Sequence, residues 1–378
     1  MRFVNKLGGV NSLNKQNKKI NVCFVSPKIY PIFNPKINHV FGGAEVDLYM
    51  LSTELAKDDL FEVSVVTADY GQDDIEVIEK VSIYKSLKFS QNSISGAYKI
   101  WQAMKNSDAD IYMVKTPSLG ITLLSLFTKL HSKKWVYRIA HDREFNGCYA
   151  ATNPLMYKLF LLSLKNASWI LSQKQNYLSV VSRKVNVKTS AIANGHRIPH
   201  CVSIKKDGVL WVGRSSEVKR PDKYFKLAQR YPETSFTMIC SRAFGDNNYD
   251  QLKQQANQIS NMQFIEYVPF HEIDKYFIQA KVFVNTSDAE GFPNTFIQST
   301  KCQTAILSLG VNPDQFLDNY NCGICSGGQW DQFVKDFKTV YNNYEDYGQQ
   351  GYDYVLKTHD IKKIIEHYKS QFKTIVAR

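Results

Sequence analysis

Strand-like apolar runs alternate with helix-length segments along most of the chain. The runs fall at residues 21–26, 62–67, 111–115, 135–140 and 167–171, and then at 209–212, 236–240, 263–266, 281–285 and 305–308. This alternation is typical of βαβ units, whose parallel sheets are covered by helices on both faces. The pattern therefore predicts an α/β protein with parallel sheets.

The length of the chain predicts two domains. With 378 residues, 44% of them hydrophobic, it can bury two cores, and the turn-rich residues 193–199 separate the two series of strands. We expect a polar tail (1–19), an N-terminal domain (20–193), a linker (194–207), a C-terminal domain (208–355) and a final segment (356–378). The tail has no apolar signal-peptide region, which favours a cytoplasmic protein.

The residues after the run at 281–285 predict a phosphate site. Glu290, Gly291 and Pro293 stand between this run and a helical pattern. Glycine permits a sharp turn, and proline suits the first helical position, where its missing N–H costs nothing. The unpaired N–H groups of the helix would then face an anion, with Glu290 beside them as a hydroxyl acceptor. Many such junctions bind nothing, so the turn alone does not establish a site.

A second turn strengthens the prediction. Gly213, Arg214 and Lys219 follow the run at 209–212 and again precede a helical segment. A guanidinium can fork onto phosphate oxygens and an ammonium adds a point charge, so the pair could neutralise a diphosphate. The alternative is a solvated basic turn.

Together the two turns resemble the retaining glycosyltransferases of family 4, which have the GT-B fold of two Rossmann-like domains facing each other across a cleft. The positions that match the two motifs of this family, G-R-x-x-x-x-K and E-G-F-P, are Gly213, Arg214, Lys219, Glu290, Gly291, Phe292 and Pro293. The family has a second Glu further along the following helix, and this chain has Gln298 there. The resemblance extends from residue 20 to about residue 372.

This resemblance implies a retaining, hexosyltransferase-type enzyme that moves a sugar from a nucleotide donor, expected to be UDP-linked, to a glycan or lipid-linked acceptor. Such reactions build surface polysaccharides and glycoconjugates. No cofactor or metal is implied beyond the donor itself. Because Gln298 departs from the family, a non-catalytic scaffold that binds nucleotide sugar or glycan is an alternative, and a sugar-nucleotide epimerase is a third hypothesis.

The resemblance also implies roles for the C-terminal site residues. Arg214 and Lys219 would stabilise the leaving phosphate, Glu290 would hold hydroxyls of the donor sugar, and Gln298 would face the ribose. Asn294, which follows Pro293, is also expected to bind the donor. Tyr267 and Val268 follow a strand where the family offers backbone groups to the nucleobase. Arg242 ends another strand, where it could contact phosphate or only cap the turn.

On the N-terminal side, Gly42 and Gly43 precede a helical pattern at the place where the family has a glycine-rich turn beside the donor phosphate and the acceptor. These glycines could equally do no more than begin a helix. His141 follows the strand at 135–140, where ligands bind in open α/β sheets, and in the family it would contact the donor sugar. The charged neighbours Asp142 and Glu144 favour this functional interpretation over a structural histidine. The segment 361–372 has the pattern of an amphipathic helix, which in GT-B enzymes returns to the N-terminal domain.

Charge suggests a membrane partner. Residues 1–200 contain 26 Lys and Arg against 15 Asp and Glu, whereas residues 201–378 contain 21 against 20. No nucleic-acid-binding motif accompanies this excess, whereas an anionic membrane needs only diffuse basic charge. The apolar segments 121–130 and 155–164 are too short to span a bilayer. They are either helices packed on a sheet or interfacial helices at the inner face of the plasma membrane.

The seven cysteines are scattered, so reduced thiols are expected. The motif from Cys322 to Cys325 is a lone C-x-x-C, and a metal site would need a second ligand pair. The sequence therefore predicts no metal site.

Overall fold

A computed structural model describes residues 19–37, 41–173, 175, 177–199, 205–243 and 245–377. The predicted tail up to residue 18 and part of the predicted linker, including Cys201, lie outside these ranges. The described residues form an eight-stranded and a six-stranded sheet. Every strand pair is parallel except the edge pair β3–β4.

The first sheet has the order β3-β4-β2-β1-β5-β6-β7-β8. Its strands are β1 (Ile20–Val25), β2 (Phe61–Thr67), β3 (Ile75–Ile78), β4 (Val81–Lys85), β5 (Ile111–Lys115), β6 (Lys134–Arg138), β7 (Trp169–Ser172) and β8 (Thr189–Ala191). Its helices are α1 (Tyr30–Phe33), α2 (Gly43–Leu55), α3 (Ser93–Ser107), α4 (Leu119–Leu130), α5 (Cys148–Thr152), α6 (Pro154–Leu164) and α7 (Leu178–Lys184). The buried strands are rich in β-branched and aromatic residues, as expected for a sheet covered on both faces.

The second sheet has the order β11-β10-β9-β12-β13-β14. Its strands are β9 (Val209–Arg214), β10 (Phe236–Ser241), β11 (Met262–Ile265), β12 (Val282–Asn285), β13 (Ala305–Ser308) and β14 (Gly323–Cys325). Its helices are α8 (Pro221–Arg230), α9 (Tyr249–Asn257), α10 (Ile273–Gln279), α11 (Asn294–Lys301), α12 (Phe316–Asn319), α13 (Trp330–Asn342) and α14 (Tyr344–Thr358). Helix α15 (Ile361–Val376) follows.

Helix α15 belongs to the core of the first sheet although it comes after the second. Ile361, Ile365 and Tyr368 on one of its faces are buried in the same cluster as residues of β1 and α2. The chain thus crosses between the domains twice, and the crossings touch, because the backbone N–H of His196 donates to the carbonyl of His359 at 2.8 Å and that of Ile361 donates to the carbonyl of His196 at 3.0 Å. These paired crossings form the hinge between the domains.

Helices α4 and α6 lie side by side on the first sheet, and their inner faces fit the interpretation of packed helices. Ile121, Leu124 and Phe127 of α4 are buried against the sheet, as a packed helix requires. The outer faces nonetheless expose leucines to solvent: Leu119, Leu126, Leu130, Leu155 and Leu162 are 52–65% exposed. None of the helices in the described part of the chain combines the length and apolar character needed to cross a bilayer.

The prediction of an α/β protein with parallel sheets is confirmed, and each of the ten predicted strands overlaps an observed one. Four short strands were missed: β3, β4, β8 and β14. One detail was wrong: Pro293 occupies the N-cap position of α11 with extended backbone, and Asn294 is the first helical residue. Either arrangement leaves the first-turn N–H groups unpaired.

Candidate active site

A cleft of about 800 Å³ separates the two domains at the carboxyl ends of their strands. In open α/β sheets this is the edge where ligands bind. All the site residues predicted from the sequence line this cleft: Gly42, Gly43, His141, Gly213, Arg214, Lys219, Arg242, Tyr267, Val268, Glu290, Gly291, Phe292, Pro293, Asn294 and Gln298. The structure thus brings together residues that lie up to 256 positions apart in the sequence.

The turns after β9 and β12 form one unit. The indole N–H of Trp211 donates to the hydroxyl of Thr286 at 2.9 Å, and that hydroxyl donates to the carbonyl of Lys219 at 2.8 Å. The backbone N–H of Asp288 donates to the carbonyl of Val218 at 2.9 Å. These bonds hold the segment that carries Lys219 against the segment that carries Glu290.

Glu290 accepts three partners within this unit. The ammonium of Lys219 lies 2.6 Å from one carboxylate oxygen, and the other oxygen accepts from the Asn285 amide at 2.8 Å and the Ser287 hydroxyl at 2.7 Å. Sequence reasoning had treated Lys219 and Glu290 as separate contacts to a ligand and did not foresee their pairing. Arg214 is exposed at the end of β9, where its guanidinium can reach an anion in the cleft.

Two helix N-termini face each other across the cleft but differ in charge. The N-terminus of helix α2 already carries a negative charge, because the carboxylate of Glu45 in its first turn accepts a hydrogen bond from the N–H of Gly42 at 2.7 Å. Helix α11 has no acidic residue in its first turn, so the positive end of its dipole is not neutralised from within. Of the two, α11 is therefore the better anion site. A side chain at Gly43 would collide with Asn294, so this glycine lets the two helix ends approach.

His141 lies opposite the turn that carries Gly291. A β-carbon built on Gly291 would be 3.7 Å from Nε2 of His141, so the imidazole closes the cleft from the N-terminal side. Nδ1 of His141 accepts from the backbone N–H of Arg143 at 3.1 Å. Because this bond fixes the ring through Nδ1, Nε2 is the nitrogen that faces the cleft.

Glu144 does not face the cleft, although its charge had been interpreted as a sign of a ligand there. It is buried, accepts from the backbone N–H groups of Ala140 and His141 at 2.8 Å each, and accepts from the Tyr137 hydroxyl at 2.6 Å. Burial raises the pKa of Glu144 to about 7, although these bonds oppose the rise. Its carboxylate therefore binds the backbone of the turn that positions His141.

Arg242 is held at the rim of the cleft. Its guanidinium donates to Asp250 at 2.6 Å and lies over the ring of Tyr249, 4.6 Å from the centroid. Tyr267 and Val268 follow β11 in the same part of the cleft. This end presents an aromatic ring, a guanidinium and strand-end backbone groups, which are the groups that bind nucleotides.

A buried ionic cluster behind the N-terminal wall was not predicted. Asp47 of α2 pairs with Lys115 of β5 at 2.7 Å and with Arg138 of β6, and all three side chains are at most 2% exposed. Burial would raise the pKa of Asp47, but the two cations outweigh it and hold this pKa below its usual range. Arg138 also donates to Tyr368 and Asn194, both at 2.7 Å, so the cluster joins α15 and the hinge to the sheet.

Two histidines at the hinge are kept uncharged by burial. The pKa of His359 is lowered to about 4, and that of His196 falls well below its usual value, because neither ring is solvated. Nδ1 of His359 lies 2.8 Å from the carbonyl of Asn194, so this nitrogen carries the proton, while Nε2 lies 3.0 Å from the Tyr354 hydroxyl. Sequence reasoning treated this region only as a linker.

Sequence reasoning also missed several residues of the cleft wall: Lys115, Gln173, Asn194, His196 and Tyr249. They lie on different elements, and no local motif surrounds them. Among the described residues, no three His, Cys, Asp or Glu side chains come together as potential metal ligands.

Two parallel-sheet Rossmann-like domains that face each other across a ligand-sized cleft define a GT-B protein. Residues 202–353, within which the second sheet lies, match the family model described as glycosyl transferases group 1. No curated protein matches the sequence significantly.

Solved structures with the same fold cover nearly the whole chain. Sucrose-phosphate synthase from Thermosynechococcus elongatus superposes with a TM-score of 0.75 at 13% identity, over 95% of this chain and 100% of that one. A mutant of TarM from S. aureus, in a complex that includes UDP, superposes with a TM-score of 0.71 at 11% identity, over 93% of this chain and 99% of that one. The UDP-forming trehalose-phosphate synthase from Burkholderia xenovorans superposes with a TM-score of 0.69 at 9% identity, over 93% of this chain and 100% of that one. At these identities the likeness concerns the fold.

Proposed function

We propose that this protein is a retaining glycosyltransferase that moves a sugar from a UDP-linked donor to a glycan or lipid-linked acceptor. The observation that carries the proposal is the convergence of Arg214, Lys219, Glu290 and the N-terminus of α11 in one cleft. Three positive features around one carboxylate suit a sugar diphosphate, whose phosphates are anionic and whose sugar presents hydroxyls.

The chemistry follows from where charge develops. Cleavage of the bond between the anomeric carbon and the diphosphate builds negative charge on the leaving oxygen, and fixed cations aimed at that oxygen lower the barrier. Arg214 and Lys219 supply these cations, so the proposed reaction needs no metal. When phosphate approaches, the ammonium of Lys219 can contact it while keeping its bond to Glu290, because an ammonium has three donors.

The opposite wall bears on which retaining mechanism the site could use. The described residues that line the cleft from the N-terminal domain include His141, Lys115 and Asn194 but no Asp or Glu. A double-displacement reaction would need a carboxylate nucleophile there. We therefore favour a front-face reaction, in which the departing phosphate accepts the proton of the acceptor hydroxyl as the new bond forms on the same face.

The choice of UDP rests on the relatives and on the nucleobase end of the cleft. The TarM complex contains UDP, and the Burkholderia synthase is described as UDP-forming. In this chain, Tyr267 and Val268 could offer backbone groups to the base edge, and Gln298, which is 8% exposed on α11, could bond a ribose hydroxyl.

The test is a thermal-shift panel of UDP, GDP, ADP and their glucose, galactose and N-acetylglucosamine derivatives, followed by transfer assays with and without EDTA. A ligand at a hundred times its Kd should stabilise the protein by about 2.7 kcal/mol. Stabilisation by a UDP-sugar and transfer that survives EDTA are expected. Metal-reversible loss of transfer would contradict the proposed leaving-group chemistry. Binding without transfer to any acceptor would favour the non-catalytic scaffold, and epimer release without acceptor would favour an epimerase.

We also propose that the protein works at the inner face of the membrane, through the exposed faces of α4 and α6. These faces are adjacent, because the Ser163 hydroxyl of α6 donates to that of Thr122 on α4 at 3.1 Å. Exposed Leu126 and Leu162 lie beside exposed Lys129 and Lys158. Leucines that dip into acyl chains with lysines at the headgroups suit an anionic bilayer.

Sedimentation with phosphatidylglycerol vesicles tests this surface. The wild type should sediment with them and dissociate as salt rises, because the Debye length falls to about 3 Å at 1 M salt. The double variant Leu126→Gln/Leu162→Gln should lose most binding, whereas Val77→Gln, which changes an exposed valine on β3, should not. Equal loss in both variants, or binding to neutral vesicles at high salt, would contradict the proposed surface and charge.

A further inference from the structure

A second cavity, of about 370 Å³, lies at the hinge. Gln173, Gln175 and Asn194 line it from the N-terminal domain and the first crossing, and most of the remaining lining residues lie in or directly beside α11, α12 and the end of α14. It shares Gln173, Asn194 and Phe292 with the main cleft, so the two cavities are neighbours on either side of Phe292. Nothing in the proposed donor chemistry uses this second cavity.

Aromatic rings form one wall of the hinge cavity. The rings of Tyr320 and Tyr354 lie 4.0 Å apart between centroids, and Phe316 packs on Tyr354 at 5.1 Å. Tyr320 is 44% exposed, so part of its ring is available to a ligand. The electron-rich face of such a ring attracts weakly polarised C–H groups, which a pyranose ring carries on its apolar face.

The polar part of the lining is neutral or acidic. Gln175, Asn319 and Thr358 are exposed at the rim and offer amide and hydroxyl groups. His359 is uncharged at neutral pH because burial lowers its pKa to about 4. In the described lining the charged side chain is a carboxylate, that of Asp314, and no Lys or Arg is present.

The hinge cavity therefore differs in chemistry from the main cleft, which is lined by Arg214, Lys219 and Arg242. An uncharged polyol meets suitable partners, because amides and hydroxyls both donate and accept hydrogen bonds. The volume is within the range of small-molecule sites, about 300–1,000 Å³.

We propose that the hinge cavity binds a neutral saccharide, a mono- or disaccharide unit stacked on Tyr320 and bonded by Gln175, Asn319 and Thr358. The unit is either part of the glycan acceptor, a source that rests on the proposed function, or a free sugar that acts as an effector. In both cases the chemistry is that of an uncharged pyranose.

Binding is tested on the full chain with UDP added to fill the main cleft. Maltose, cellobiose, lactose and N-acetylglucosamine are titrated by saturation-transfer NMR against wild type, Tyr320→Ala and Tyr320→Phe, with glucose 6-phosphate as the charged probe. At least one neutral sugar should bind wild type and Tyr320→Phe alike and bind Tyr320→Ala about fivefold more weakly. Circular dichroism checks that the variants fold. Two results would overturn the proposal: no neutral sugar in this set shows binding that depends on the ring of Tyr320, or the phosphate ester depends on the ring more strongly.

Kinetics then distinguish the two sources. If the cavity holds part of the acceptor, Tyr320→Ala should raise KM for a glycan acceptor with kcat unchanged. If it holds an effector, free sugar should change the rate of donor hydrolysis in the wild type but not in Tyr320→Ala. The proposed transferase function fails separately, when neither UDP-sugar binding nor transfer is detected, and the NMR result still decides whether the cavity binds saccharide.

Discussion

The two domains share a layout, but their charges lie in opposite places. In the N-terminal domain Asp47, Lys115 and Arg138 are at most 2% exposed and bind one another. In the C-terminal domain the side chain of Lys219 is 24% exposed and that of Arg242 is 50% exposed, both at the cleft. The difference teaches that a charged side chain near a strand end can either stabilise the domain through a buried ion pair or remain exposed in the cleft, where a ligand can contact it.

This contrast makes different demands on each domain. A buried cation without its partner retains the full cost of desolvation, so the N-terminal cluster must stay complete for the domain to fold. A cation at the rim is solvated when no ligand is present, so its removal changes binding and rate more than stability. Substitutions in the two groups should therefore separate stability from activity.

The largest effect is expected from Asp47→Asn. Loss of this carboxylate leaves Lys115 and Arg138 buried without a counter-charge, and we expect a loss of about 3–5 kcal/mol in the free energy of unfolding. Asp250→Asn is the matched control, since it removes the solvent-exposed partner of Arg242. Urea denaturation followed by circular dichroism should show a large shift for the first variant and none for the second. Equal shifts of the urea denaturation curve in the two variants would show that the buried and the exposed ion pair do not differ in their contribution to stability.

Next in size are Arg214→Ala and Lys219→Ala. In the proposed reaction each of these cations faces the leaving phosphate, so we expect kcat to fall on the order of a hundredfold, or about 3 kcal/mol of transition-state stabilisation, with the fold intact. Lys226→Ala removes an exposed lysine of α8 outside the cleft and serves as the control. Initial rates at saturating donor measure the effect. Near wild-type rates in the first two variants would remove both residues from the reaction.

A pH experiment tests Glu144, a buried carboxylate whose hydrogen-bond partners are a tyrosine hydroxyl and two backbone N–H groups. The pKa of Glu144 is raised from 4.5 to about 7, so the folded state holds a proton that the unfolded state releases. Stability from this group is complete below pH 4.5 and is lost as pH rises through 7, by about 3 kcal/mol. Glu144→Gln should therefore remove this fall, so that the unfolding free energy of the variant rises relative to that of the wild type between pH 4.5 and 7, while the contribution of the buried histidines is the same in both proteins. If the wild type and the variant have parallel curves, Glu144 does not titrate as we expect.

The smallest expected effect concerns Gln298. If its amide faces the ribose, Gln298→Glu should leave UDP affinity unchanged or tighten it by roughly 1 kcal/mol, because a carboxylate accepts hydroxyl hydrogen bonds more strongly. Glu290→Gln should instead reduce transfer far more than affinity for bare UDP, because its proposed ligands are sugar hydroxyls. Calorimetry and transfer rates together measure both variants. Weaker UDP binding in Gln298→Glu would place this residue beside phosphate and not beside the ribose.

The C-terminal wall of the cleft was predictable because its information is local. Arg214 and Lys219 lie within one turn, Glu290 and Pro293 within another, and each turn follows a recognisable strand. The N-terminal cluster was not predictable, because Asp47, Arg138 and Tyr368 meet only after the whole chain has folded. Their spacing in the sequence carries no period that would predict the contact.

The errors have the same origin. The edge strand β3 and its neighbour β4 are four and five residues long and pair as an antiparallel hairpin, too short for a clear alternating pattern. The charge of Glu144 was interpreted as support for a ligand-binding role of its neighbour His141, yet its carboxylate accepts hydrogen bonds from two backbone N–H groups. Sequence shows that a charge is present but not whether backbone or ligand will use it.

The return of α15 to the first sheet has a consequence for synthesis on the ribosome. The strands of the N-terminal sheet emerge first, but Ile365, Tyr368 and Phe372, which complete their core, are translated only after the entire second domain. The second domain is continuous in sequence and can fold as soon as it leaves the exit tunnel. The domain translated first is thus the last to be finished, and until then the apolar face that α15 covers stays open to solvent.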